Sequence, residues 1–153
     1  MREFYNVTQK IKDALEAEPF VNSVTFGDIF QVDLNKQTIY PLAHTIVNNA
    51  SIAEETITLN MSVILMDIVD VSKAEVTDKF VGNTNEQDVL NTQLAVASRL
   101  VSLLKRGNIY TDLYQVVSDV SCEPFTDRFE NAVAGWTMTF DVVVANDMTV
   151  CLS

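Results

Sequence analysis

Four groups of residues are of a kind that could do chemistry. His44 is the sequence's one histidine, and a general base there would need an acid and a nucleophile beside it in the fold. Ser51, Asp67 and Cys122 are available for those roles, but no spacing ties them to His44, which follows Pro41, Leu42 and Ala43 in a run of strand formers. A structural or surface role is expected. Asp67 and Asp70 form a D-x-x-D pair that could offer oxygen ligands to a hard cation. On a strand, however, positions three apart face opposite sides, so a solvated strand end is expected, and Glu54, Glu55 and Asp141 read as charges on wet faces. Cys122 and Cys151 lack both C-x-x-C spacing and neighbouring histidines, which leaves free, partly buried thiols. The stretch Val81-Gly82-Asn83-Thr84 comes nearest to a phosphate loop, without the spacing or the lysine of one. No catalytic group, cofactor or metal is expected.

Composition narrows the classes further. A chain of 153 residues, 48% apolar and 20% charged, is the size and character of one globular domain spanning residues 1–153. Ten Lys and Arg against twenty-one Asp and Glu leave a net charge of -11, which repels phosphate backbones and anionic headgroups. Tight nucleic-acid binding is disfavoured, and aromatic residues do not cluster with basic ones into a stacking platform. Four Gly and three Pro exclude collagen-like and low-complexity designs. No run approaches the ~20 apolar residues that span a bilayer, and the first twenty residues lack a signal peptide's apolar core. A soluble protein made in a reducing cytoplasm, without a membrane partner, is expected.

The elements that must position these residues follow from periodicity. Phe4, Val7, Ile11 and Leu15 recur at spacings of three and four, predicting an amphipathic helix over 2–17 that Pro19 ends. Val21 to Phe26 reads as a strand entering a Gly27-Asp28 turn, with Ile29, Phe30, Val32 and Leu34 as its hairpin partner. A strand over 38–47 carries Pro41, which confines that residue to an edge, a strand start or a bulge. From 56 to 63 alternation is clean, with Ile57, Leu59, Met61 and Val63 on one side. Beyond Ile64 both sides are apolar to Val69, so a neighbour or a partner chain is expected to cover that end. Residues 70–85 form a long loop. Thr84 or Asn85 then caps a helix whose stripe includes Val89, Gln93, Val96, Ala97, Leu100 and Leu104. Lys105 and Arg106 suit its negative end, and Gly107 is expected to close it in the left-handed conformation. Strands over 113–122 and 135–145 finish the chain, the latter burying Trp136, Met138, Phe140, Val142 and Val144. Without βαβ alternation, the order predicts an α+β fold: one antiparallel sheet with both helices packed on one face.

Val21-Asn22-Ser23-Val24-Thr25-Phe26-Gly27-Asp28, then Thr38-Ile39-Tyr40-Pro41-Leu42-Ala43-His44 and Ile46-Val47-Asn48, resemble the tail terminator and tail-completion proteins of bacteriophages, especially those of Bacteroidetes phages. The resemblance extends over nearly the whole chain, since that family is a small α+β domain with the same order of elements. It implies a homo-oligomeric ring, commonly a hexamer, that caps the tail tube and joins it to the head-proximal connector or neck proteins. DNA would pass through the lumen without tight binding. The protein would reside in the virion tail or neck after synthesis in the host cytoplasm. No catalytic residue is implied. Expected subunit or tube contacts are Tyr40 and Pro41, the two-faced strand end at Ile64, Met66 and Ile68, and the loop residues Val71, Val76, Phe80 and Val81. Two other classes compete: a small α+β enzyme or ligand-binding domain with a cone-shaped sheet, which needs a deep pocket with converging polar groups, and an assembly adaptor unrelated to virions.

Overall fold

The computed structural model describes residues 2–27, 40–69, 86–107, 114–128 and 132–145. Helix α1 spans Arg2–Glu16 and strand β1 Ser23–Phe26; β2 (Leu42–Ile52) and β3 (Thr56–Ile68) form a hairpin; α2 spans Glu86–Leu104; β4 (Tyr114–Arg128) and β5 (Ala132–Ala145) close the described chain. The strands make one sheet in the order β1-β2-β3-β5-β4. The result is α+β, and both helices lie on one face as the periodicities require.

The core explains the arrangement. Val7, Ile11 and Leu15 of α1 and Val96, Ala97, Leu100 and Leu104 of α2 pack on Ile57, Leu59, Met61, Val63 and Leu65 of β3 and on Met138, Phe140, Val142 and Val144 of β5. Period 3.6 meets period 2 across this layer. Gln93 also points into it, 1% exposed, and neither carboxamide atom has a hydrogen-bond partner. The hydroxyl of buried Tyr114 is in the same position.

β4 runs to Arg128, well past the expected 122, and three further features depart from the sequence-based expectations. First, the sheet is mixed. β1 pairs in parallel with β2, with Thr25 opposite His44, and the expected hairpin partner at 29–34 lies outside the described residues. A parallel pair needs a connection of a dozen or more residues, and residues 27–41 separate the two strands. Second, Gly107 is not left-handed; among the described glycines only Gly27 has positive φ, at 106°. Gly107 instead leaves room for the Tyr114 ring, which a Cβ would strike. Third, β2 starts at Leu42 and runs to Ile52, later than the expected 38–47. Pro41 stands just before it, next to a cis Tyr40–Pro41 bond, and its carbonyl accepts the Asn22 and Ser23 amides at 2.8 and 3.2 Å. The expected helix caps Thr84 and Asn85 lie outside the described residues.

Two bulges shape the sheet. Between Val47 and Asn49, β2 gains one residue relative to β3, and the insertion releases Asn48 from the ladder. Between Val117 and Ser121, β4 gains two residues relative to β5. An even insertion preserves alternation, so Val116 and Cys122 on either side both pack against the helix-covered core.

Candidate assembly surfaces

His44 is built into the fold rather than presented by it. It is fully buried, with Nδ1 2.6 Å from the Thr25 hydroxyl and Nε2 2.7 Å from the Gly27 carbonyl. A carbonyl only accepts, so Nε2 carries a hydrogen and donates it. In the neutral ring Nδ1 then accepts from Thr25. The left-handed Gly27 turns its carbonyl to this position while its amide bonds the Thr45 carbonyl at 3.0 Å. His44 thus ties the short β1 to the sheet, a structural role and not a surface one.

Other candidate groups resolve similarly. Asp67 Oδ1 accepts the Ile68 amide at 2.8 Å, and its expected companion Asp70 lies outside the described residues. No group of three or more His, Cys, Asp or Glu side chains among the described residues could hold a metal ion. Burial pushes the Cys122 thiol above its ordinary pKa; Cys151 lies outside the described residues. Trp136 donates its indole N–H to the Leu90 carbonyl at 2.8 Å, pinning β5 beneath α2. In the C-terminal half of α2, Arg99 grips Glu18 through two bonds of 2.7 Å. The hydrogen bonds to Glu18 raise the guanidinium's pKa.

The face of the sheet away from the helices has two zones. At one end Tyr40, Leu42, Met66 and Val133 are buried together, with Ile64, Ile68 and Phe125 packed against them. Of the expected contact residues, Tyr40 and Met66 are therefore largely enclosed by their own chain, whereas Ile64, Ile68 and Pro41 are half-buried. Val71, Val76, Phe80 and Val81 lie outside the described residues. In the middle a ladder of short polar side chains crosses three strands. Asn48 donates to Asn60 at 2.9 Å and to Ser62 at 2.8 Å, Asn60 donates to Asp141 at 2.8 Å, and Ser62 meets Thr139 at 3.2 Å. The alternation of Thr58, Asn60 and Ser62 marks a wet face in the sequence; only strand register reveals that Asn60 and Ser62 bond side chains of the neighbouring strands.

Two grooves flank the helices. One, of about 700 Å³, runs between α1 and the end of β1 and is lined by Phe4, Tyr5, Lys12, Val24 and Phe26; Tyr5 and Phe26 are 75% and 57% exposed. The other, of about 520 Å³, lies between α2 and the bulge of β4. The bases are segregated across these layers, although the helices and their ends also carry the acids Asp13, Glu16, Glu18 and Asp88. Among the described side chains the bases Lys10, Lys12, Arg99, Lys105 and Arg106 all belong to the helices or their ends. The strands and the turn joining β2 to β3 contribute the acids Glu54, Glu55, Asp67, Asp119, Glu123 and Asp141.

An antiparallel-dominated sheet backed by two helices, with its second face partly apolar and partly polar, makes the chain a small α+β domain. No family model matches it, and no curated protein matches it. No helix among the described residues is long and apolar enough to cross a membrane.

Proposed function

We propose that this chain is the subunit of a homo-oligomeric ring at the end of a bacteriophage tail tube, of the tail terminator or tail-completion kind. In that role it joins the tube to the head-proximal neck and lets DNA pass. The observation that carries this reading is the unequal treatment of the sheet's two faces. One is sealed by both helices, while the other presents an apolar end and an almost uncharged polar ladder suited to packing on protein. The motif resemblance around Val21 to Asn48 supports it. Strands bearing four acids, with two more on the β2–β3 turn and no base among their described side chains, would repel DNA rather than hold it, as a conduit requires. Rings need heterologous contacts, one patch meeting a different patch on the next copy, and the two grooves and the hairpin tip are distinct patches of that kind.

Imaging of assembled tails or necks tests the proposal. A closed ring of this chain at the tube end is expected, and a lone subunit without ring contacts there overturns it. Titration of duplex DNA at low salt gives a second check: weak or no binding is expected, and micromolar binding that falls steeply with salt removes the conduit. One observation favours a ligand-binding domain instead, the groove of about 700 Å³ beside α1. Specific, saturable binding of a small molecule there, abolished by Phe26→Asp, would establish that reading.

A further inference from the structure

The turn between β2 and β3 is a projecting knob. Ile52 is 75% exposed at the end of β2, the Ala53 amide closes the turn on the Thr56 carbonyl at 2.8 Å, and Glu54 and Glu55 are both exposed beside it. An isoleucine this exposed at a hairpin tip gains little from its own fold. On a different part of the molecule, the groove between α2 and β4 offers the opposite character. Leu94 and Val101 from the helix and Val120 and Cys122 from the strand give it apolar walls, with Lys105 and Asp119 at its sides. Leu94 is 41% exposed, and Arg106 lines the adjoining hollow, which shares Ser98 and Ser102 with the groove.

We infer that the hairpin tip Ile52 to Glu55 of one copy docks in the α2–β4 groove of the next. This deepens the ring proposal and rests on it. Shape and charge both agree: an apolar side chain flanked by two acids meets apolar walls flanked by Lys105 and Arg106. These bases lie on an exposed helix end of a chain whose net charge is -11, so attraction there offsets the general repulsion between copies. Asp119 on the strand wall sets the orientation, turning the acids toward α2 and Ile52 toward Leu94. Knob and groove belong to separate elements, so a heterologous contact leaves a knob at one end and a groove at the other and can propagate around a ring, whereas reciprocal docking would close a dimer and give no ladder of cross-linked multimers.

The native Cys122 provides the test. In a Cys151→Ser background, Ile52→Cys should form intermolecular disulfides with Cys122 on mild oxidation, giving a ladder of covalent multimers that vanishes when Cys122→Ser is added. Sedimentation of the purified chain over a range of concentrations supplies the second readout. Lys105→Glu with Arg106→Glu should weaken self-association at least tenfold, as should Glu54→Lys with Glu55→Lys, and combining the four should restore it. Self-association that persists with no ladder and no response to either charge reversal places the interface elsewhere and overturns this inference while leaving the ring proposal intact. A chain that stays monomeric up to millimolar concentration overturns both.

Discussion

Strand β3 sits between two different surroundings, and its neighbouring residues separate them. Leu65 faces the helices and is fully buried, whereas Asn60 and Ser62 face away and bond to Asn48, Asp141 and Thr139. The helix-covered side is a closely packed apolar layer interrupted by the Gln93 carboxamide and the Tyr114 hydroxyl. The opposite side changes along its length from an apolar end around Leu42, Met66 and Val133 to the polar ladder. The contrast teaches that one face of a sheet can carry the main core while the other keeps a smaller apolar cluster beside a hydrogen-bonded polar surface. Amide and hydroxyl side chains that already satisfy one another can meet water or a partner at little desolvation cost.

The strongest way to break the comparison is to delete matter from each face in turn. Leu65→Ala should cost about 2–5 kcal/mol in chemical denaturation, because the site is fully enclosed and a cavity remains. Thr58→Ala, half-buried on the other face, should cost far less; equal losses would show that the second face is as closed as the first. His44→Ala comes next, leaving the Thr25 hydroxyl and Gly27 carbonyl without their partner, at about 1–3 kcal/mol. Loss of a turnover activity in a folded His44→Ala protein would overturn the structural role.

An opposite sign is expected at Gln93, whose carboxamide is buried in the covered face with no protein partner. Gln93→Met should raise stability by about 1–2 kcal/mol, read as a higher denaturation midpoint at unchanged slope. A loss would mean that the amide is satisfied in solution. On the polar face, Asn60→Ala removes a donor to Asp141 and an acceptor for Asn48 and should cost about 0.5–1.5 kcal/mol.

The smallest effect concerns Cys122. Its thiol pKa is raised by burial, so in a Cys151→Ser protein its alkylation should be slower near pH 8 than that of an unfolded control, and should keep rising beyond the pH at which the control levels off. Because the folded-state value exceeds the unfolded one, the neutral thiol's small stabilisation is complete below the ordinary thiol pKa and fades as pH climbs through the raised one. Alkylation as fast as in the control would place Cys122 in open solvent.

Much of the covered face was legible in the residues themselves. Phe4, Val7, Ile11 and Leu15 mark α1, and the alternation from Ile57 to Val63 and from Trp136 to Val144 marks two long strands, since periodicity reports directly on which side of an element meets the core. Composition and charge likewise follow from counting. Only the tertiary structure decided the rest. Whether β1 pairs with the next apolar stretch or in parallel with β2 depends on contacts distant in sequence, and so does the enclosure of His44 between Thr25 and Gly27. The same holds for the Asn48 bulge and its ladder, the fit of Gly107 under the Tyr114 ring, and the groove that joins α2 to β4. Local patterns specify which face of each element is apolar, but register, partner choice and the spaces left between elements are properties of the packed whole.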